Sequence, residues 1–193
     1  MTTQTTSHLA QEHRAFERAL DAFSAFLDRV ERDPSTDPEL TQRQMVWPLV
    51  DYLVDCLLLR HEEKEETIVL PEIARAGADW NDGALPHVRE DHRHGRYLLR
   101  SLRYSLHQSR RWTVDERRHF LSIGREWVKF NREHMGREEA HLFPLIERFL
   151  TPARDQGVLV HLQKVDKEVE EFRGASELTA QGEALIAELL GER

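Results

Sequence analysis

Four histidines lie on the apolar stripes of four separate predicted helices, in a chain that has only one cysteine. The single cysteine excludes a four-cysteine zinc or iron–sulfur site. The four histidines are His13, His61, His92 and His134. In two of these helices a glutamate follows four residues later, Glu65 after His61 and Glu138 after His134, a spacing that stacks both side chains on one helix face. We therefore expect all six side chains to point into one core.

The chain also repeats itself around these residues. The segment HEEKEETIVLP (61–71) aligns without gaps with HMGREEAHLFP (134–144). A weaker match relates EHRAFERAL (12–20) to DHRHGRYLL (91–99). The pattern is typical of a duplicated helical hairpin, and a pseudo-twofold between the two hairpins would bring four histidines and two glutamates together.

Two carboxylates and four imidazoles in an apolar core all need partners. An unpaired buried carboxylate costs several kcal/mol, so a polar core network without metal is the less favoured interpretation. Imidazole and carboxylate together suit iron, zinc or manganese, and two carboxylates with two oxygens each can bridge a pair of ions. The residues therefore favour a dinuclear metal site.

Two other metal motifs do not fit the spacing. The zinc-protease helix motif needs a second histidine where this chain has Glu65. A ferritin-like di-iron site needs Glu-x-x-His on two helices, and although Glu138 and His141 have that spacing, Ile68 stands at the matching place after Glu65.

The elements that would position these groups are all helical. We predict helix A over about 8–31 with Ser7 as its N-cap, and helix B from Pro38 or Pro48 to about Arg75 with a kink near Pro71. Helix C is predicted over about 85–109, helix D over about 113–149 behind a Thr113–Glu116 capping box, and C-terminal helices from Thr151–Pro152 and from Ser176. The predicted fold is all-α, an antiparallel up-down four-helix bundle over 1–150 with a helical extension packed on it over 151–193.

Composition narrows the classes of function. The formal net charge of −8 has the wrong sign for binding nucleic acid or an anionic membrane. No apolar run is long enough to span a bilayer, and the polar start MTTQTTSHLAQEH lacks the apolar core of a signal peptide. We expect a cytoplasmic protein with no nucleic-acid or membrane partner, whereas a protein partner stays unknown.

The paired H-x-x-x-E segments, followed by LP and LFP, resemble a hemerythrin-like protein of the HHE cation-binding family over about residues 8–150. This resemblance implies a four-helix bundle around a non-haem di-iron centre, with zinc or manganese as substitutes for the two iron ions. It places the six side chains named above at the ligand positions, with Glu65 and Glu138 as bridging carboxylates.

The chain departs from the oxygen-carrying members of that family at one position. They have a second histidine four residues after the helix C ligand, where this chain has Arg96. They also place a carboxylate five residues after the helix D histidine, so Glu139 competes with Glu138, which we prefer because it repeats the His61–Glu65 spacing. Further ligand candidates are Glu62, on the flank of His61, and His141, for which we favour a supporting or core role on the His134 face.

The resemblance implies that the iron pair meets dioxygen, nitric oxide or peroxide. An iron- or oxygen-responsive sensor whose tail meets a partner, and a peroxide or nitric oxide reductase, are alternatives that use the same ligands, so the sequence does not decide whether the protein is an enzyme. The acidic run EEKEE (62–66) is expected to be a mostly solvated face.

Overall fold

The computed structural model describes residues 2–32, 40–79, 84–107, 112–172 and 175–192, and these residues are helical apart from short connections. The all-α fold class is thereby confirmed. The α-helices are α1 Gln4–Arg32, α2 Leu40–Asp51, α3 Leu59–Lys64, α4 Leu70–Arg75, α5 Ala84–Leu106, α6 Val114–Arg137, α7 Phe143–Phe149, α8 Pro152–Phe172 and α9 Ala175–Leu190. Three π-helical segments, π1 Tyr52–Leu58, π2 Glu65–Val69 and π3 Glu138–Leu142, join α2 to α3, α3 to α4 and α6 to α7 without a break.

The start of α1 differs from its prediction. Ser7 is not the N-cap, because the helix begins at Gln4. The hydroxyl of Thr3 accepts the backbone N–H of Thr6 at 3.1 Å, and Asp155 of α8 accepts the backbone N–H of Gln4 at 2.8 Å. A carboxylate more than a hundred residues away thus satisfies a free N–H group of the first turn, which local capping rules do not anticipate.

Of four other predicted helix boundaries, one is confirmed, one differs in the structure and two lie outside the described residues. The capping box of Thr113 and Glu116 at the start of α6 is confirmed in both of its hydrogen bonds. Pro48 lies inside α2 rather than at its start, while the alternative start at Pro38 lies outside the described residues. Helix α5 ends at Leu106, and the predicted end near Ser109 also falls outside them.

The segments π2 and π3 occupy equivalent places in the internal repeat. Each begins at the glutamate of an H-x-x-x-E pair, Glu65 or Glu138, and each is followed by a proline, Pro71 or Pro144. Proline lacks an N–H and its ring crowds the carbonyl four residues earlier, so a wider turn relieves the clash. The structure therefore has π-helical turns at the place where a kink was predicted near Pro71.

These wider turns shift the inward face of both helices by one residue. Ile68 and Leu145, which continue the predicted α-helical stripes, are partly exposed. Their neighbours Val69 and Ile146 are fully buried instead. A stripe extrapolated at the α-helical period through a π segment therefore places the later residues on the wrong face.

The apolar core consists of two clusters at different levels along the helices. Aromatic residues of α1 and α6 pack in the larger cluster, with Phe23 5.8 Å from Trp127 and Phe26 6.3 Å from Phe120 between ring centroids. Because the residue numbers run in opposite directions along the two helices, α1 and α6 are antiparallel. The smaller cluster includes Leu9 of α1, Leu142 of π3, and Val158 and Leu162 of α8.

The second C-terminal helix, α9, contributes the fully buried Ile186 to the larger cluster. It lies close against Tyr52 at Gly182, and the Tyr52 hydroxyl donates to Glu183 at 2.9 Å. Within the described part of the chain, no helix combines the length and the apolar character needed to cross a membrane.

Substituting Gly182 by Ala tests how closely α9 packs. A Cβ atom there would lie 2.6 Å from Cδ1 and 2.7 Å from Cβ of Tyr52, so the helix must move and the protein should lose about 1–3 kcal/mol of unfolding free energy. Gly157→Ala in α8 is the matched control, because nothing lies within 4 Å of its Cβ position and helix propensity favours alanine. Chemical denaturation measures both, and equal stability of the two variants would contradict this packing.

Candidate metal centre

A polar layer separates the two apolar clusters. It consists of side chains from α1, α3, π2, α5, α6 and π3, all of which are buried: His13, His61, Glu65, His92, His134 and Glu138. Each helix reaches this layer between residues of one cluster and residues of the other. On α1, for example, His13 stands between Leu9 of the smaller cluster and Phe16 of the larger.

One half of the layer is built around His13 and His61. Their Nε2 atoms lie 3.2 Å apart. Oxygen Oε2 of Glu138 lies 3.3 Å from Nε2 of His13 and 3.8 Å from Nε2 of His61, and Oε1 of Glu65 lies 3.5 Å from the latter. Two imidazole nitrogens and two carboxylate oxygens thus converge on one point.

The other half is built around His92 and His134. Oxygen Oε2 of Glu65 lies 3.3 Å from Nε2 of His92, and Oε1 of Glu138 lies 3.6 Å from it. The same Oε1 lies 3.0 Å from Nε2 of His134. Each glutamate therefore turns one oxygen to each histidine pair.

The donor atoms at the centre are not satisfied by the protein. Among the described residues, neither oxygen of Glu65 or Glu138 makes a hydrogen bond, and neither does Nε2 of His92 or of His134. A buried carboxylate without a positive charge beside it costs several kcal/mol, and here the facing imidazoles supply that charge only by taking up protons. A cation at the centre would remove this cost, so the residues present fit a metal site.

The pKa values of the central histidines also show that the two carboxylates favour a positive charge beside them. Burial by itself lowers the pKa of His92, but the neighbouring Glu138 and Glu65 outweigh it and raise that pKa to about 10. For His134, burial is likewise outweighed by Asp91 and Glu138, which raise the pKa to about 9. The pKa of Glu138 lies well below its usual range, because the surrounding imidazoles outweigh its burial. Protons thus compete with a metal ion for the same nitrogens.

A second set of carboxylates, the outer carboxylates, faces the other nitrogen of each imidazole. The Nδ1 distances are 3.0 Å from His61 to Glu12, 2.8 Å from His92 to Glu66, 3.3 Å from His134 to Asp91 and 2.9 Å from His13 to Glu139. Each outer carboxylate is the chain neighbour of a central residue on one helix and contacts the imidazole of the next helix. Such contacts fix the tautomer and the orientation of a ring whose Nε2 binds a metal.

The outer carboxylates close a ring around the site. Glu12 beside His13 reaches the helix of His61, and Asp91 beside His92 reaches the helix of His134. Sequence reasoning assigned no role to Glu12, Glu66 or Asp91. The signal was present in the repeat, because both weaker segments begin with an acid before His-Arg and both stronger segments contain Glu-Glu.

The further ligand candidates occupy different places. Both oxygens of Glu138 face the centre, whereas Glu139 is 53% exposed and contacts only the outer nitrogen of His13 among the central residues. Glu62 is buried beside His92 and forms an ion pair with Arg96, and its burial raises its pKa.

Of the two roles expected for His141, the core role is wrong, because its side chain is exposed. It lies within π3, next to the fully buried Leu142, and its supporting role beside His134 stays a prediction. The expectation that the EEKEE run is mostly solvated is wrong, since Glu62 and Lys64 are buried in addition to Glu65, for which burial was predicted.

A cleft of about 700 Å³ lies beside the second half of the layer, between α5 and the helix formed by α6, π3 and α7. His134 and Glu138 contribute to its lining, and His87 and His141 contribute imidazoles. The apolar part of the wall includes Val88, Ala140, Leu142, Pro144 and Leu145. The cleft is large enough for a small molecule to approach this side of the layer.

Comparison with known proteins agrees with this geometry. The family model of the hemerythrin HHE cation binding domain matches residues 4–146. Comparisons with curated proteins and with solved structures gave no significant match. The family match covers most of the chain and contains all six residues of the buried layer. The chain therefore belongs to the hemerythrin HHE cation-binding domain family.

Proposed function

We propose that this protein holds two iron ions in the buried layer and that they interact with dioxygen, nitric oxide or peroxide. The observation that carries the proposal is that Glu65 and Glu138 each turn one oxygen to the His13–His61 pair and the other to the His92–His134 pair. Two carboxylates arranged in this way are suited to bridging two ions. The mixed nitrogen and oxygen donor set suits iron, and zinc or manganese would serve as substitutes.

The scaffold that we propose is an up-down four-helix bundle over 1–150, with 151–193 as a C-terminal extension. The contacts that support it pair neighbouring helices in opposite directions. Glu62 of α3 contacts Arg96, and Glu66 of π2 contacts His92, both on α5. Because residue numbers increase along one helix and decrease along the other, the two helices are antiparallel. The cytoplasmic location stays a prediction from the sequence.

Iron, when bound, would supply the electrons and the open coordination position for chemistry with the small molecule. The residues of the chain prepare the site for it. The outer carboxylates hold each imidazole with Nε2 toward the centre, and Arg137 in turn donates to Asp91 at 2.7 Å. The two apolar clusters exclude water from both ends of the layer, and the cleft beside His134 offers the small molecule an approach.

Arg96 separates this protein from oxygen carriers. Its guanidinium cannot coordinate a metal because it stays protonated, and it pairs with Glu62 and, at 3.3 Å, with Glu66. The arginine thus holds an outer carboxylate of His92 instead of adding a nitrogen ligand. We infer a centre that is richer in oxygen ligands and more easily oxidised than that of a carrier.

The bridging role of Glu138 can be tested against its chain neighbour. Glu138→Ala should lower the bound iron from two equivalents per chain to one or fewer, because the substitution removes an oxygen from each half of the site. Glu139→Ala should keep two equivalents with an affinity lowered roughly tenfold, because Glu139 only orients His13. Metal analysis after anaerobic loading with ferrous iron measures both, and equal iron contents in the two variants would refute the assignment.

Metal affinity should rise with pH. The raised pKa values of about 10 and 9 mean that His92 and His134 carry protons in the metal-free protein at pH 7, and the metal must displace them. Those protonated pairs stabilise the metal-free fold fully below the unfolded pKa of about 6.5, and that stabilisation is lost as pH rises through 9 and 10. The affinity should therefore increase roughly tenfold or more per pH unit between pH 6 and 9.

Calorimetric titration with zinc in two buffers of different ionisation enthalpy counts the protons released. The gap in melting temperature between loaded and stripped protein should widen over the same pH range. Binding without proton release would show that the imidazoles are not the ligands.

The role of Arg96 predicts the response to dioxygen. The ferrous protein should oxidise on aeration without a colour that disappears when the gas is removed. In the Arg96→His variant a reversible colour should appear or last longer, because the substitution restores the carrier's histidine. Arg100→His is the control, since Arg100 lies one turn further along α5 and is exposed, and it should behave like the unaltered protein. Stopped-flow optical spectra decide it, and a lasting reversible colour in the unaltered protein would favour a carrier.

A further inference from the structure

Lys64 is a fully buried cation outside the central layer. Its side chain is 0% exposed. Its ammonium group contacts Oε1 of Glu12 and Oδ1 of Asp166, and it lies 3.3 Å from Nε2 of His8. A buried lysine is rare unless it is paired, and here two carboxylates from two different helices supply the pairing.

These contacts continue to the central layer. The other oxygen of Glu12, Oε2, lies 3.0 Å from Nδ1 of His61. A chain of charged contacts therefore runs from Asp166 on α8 through Lys64 on α3 and Glu12 on α1 to the imidazole of His61. Each member contacts the next directly, so Asp166 is connected to His61 through two intervening side chains.

The other outer carboxylates are held differently. Glu66 is held by Arg96 and Asp91 by Arg137, and both arginines are partly exposed and belong to α5 and α6. Glu139 is itself half exposed. Of these contacts, only that of Glu12 passes through a fully buried cation that a residue of the C-terminal extension holds in place.

We propose that Asp166 and Lys64 are positioning residues for His61, through which helix α8 sets metal affinity at the His13–His61 half of the site. The His92–His134 half does not share this contact and keeps its affinity. The proposal rests on the two-metal function proposed above, but the orientation of His61 can be measured without any metal.

The competing explanation is that Asp166 merely docks α8 on the bundle. Asp155, on the same helix, provides the matched control. It accepts the backbone N–H groups of Gln4 and Thr5 at 2.8 Å and 3.0 Å and so ties α8 to α1, and within the described part of the chain none of its contacts leads to His61. Loss of docking alone should therefore affect Asp155 and Asp166 variants alike.

The experiment compares Asp166→Asn, Asp166→Glu and Asp155→Asn in the full chain. Nitrogen-15 NMR of histidine-labelled, metal-free protein follows the Nδ1 signal of His61, and cobalt titration followed by optical absorption measures the affinity of each equivalent. Asp166→Asn should shift the His61 signal and weaken one cobalt equivalent roughly 10- to 100-fold. Asp166→Glu, which keeps the charge, should recover most of both effects, and Asp155→Asn should change neither.

Lys64→Met carries the test if Asp166→Asn does not fold, because it removes the same connection by taking out the cation itself. It should give the same shift of the His61 signal and the same loss at one equivalent. The proposal is overturned if the His61 signal stays unchanged in these variants, or if Asp155→Asn matches Asp166→Asn. If the unaltered protein binds no cobalt while its His61 signal responds to Asp166→Asn, the proposed function fails and the positioning role stands.

Discussion

The structure depends on the burial of two carboxylates and four imidazoles between two apolar clusters. Neither glutamate makes a hydrogen bond among the described residues, although both are fully enclosed. Apolar packing above and below the layer raises the cost of leaving these charges unpaired, because it removes both carboxylates from bulk water. The hydrophobic core and the affinity for a cation are therefore two consequences of the same packing.

The π-helical segments reconcile this polar layer with the apolar core beyond it. Glu65 and Glu138 begin these segments and point inward one α-helical turn after a histidine. The wider turn that follows brings Val69 and Leu142 to the core face. A proline two residues after each segment favours this local geometry, because a regular α-helix would crowd its ring. π-Helical turns are frequent at functional sites, and here one adjoins each glutamate.

The contacts around the layer are regular in one respect and asymmetric in another. All four imidazoles meet an outer carboxylate through Nδ1, in agreement with the internal repeat. The partners of those carboxylates differ, with arginines at Glu66 and Asp91 and a buried lysine at Glu12. The cleft likewise lies beside His134 and Glu138. The set of donors is thus symmetric, as the internal repeat predicts, whereas the contacts around it differ between the two halves.

Much of this organisation follows from the sequence by itself. The α-helical period, which is a local property, places the histidines on apolar stripes and puts both members of each H-x-x-x-E pair on one face. The internal repeat is visible from the alignment of two segments of the chain. These features predicted the all-α fold, and they named the six residues that the structure brings together. The composition also excluded sites built from several cysteines.

Tertiary structure decided what depends on contacts between distant segments. Asp155 caps α1 from α8, Lys64 is buried because Asp166 and Glu12 enclose it, and neither contact has a local signature. Ile68 and Leu145 left their predicted buried stripes because the π segments changed the period within the helices. Local periodicity places side chains on a face, whereas burial and charge pairing depend on which helices pack together, and only the folded chain determines that packing.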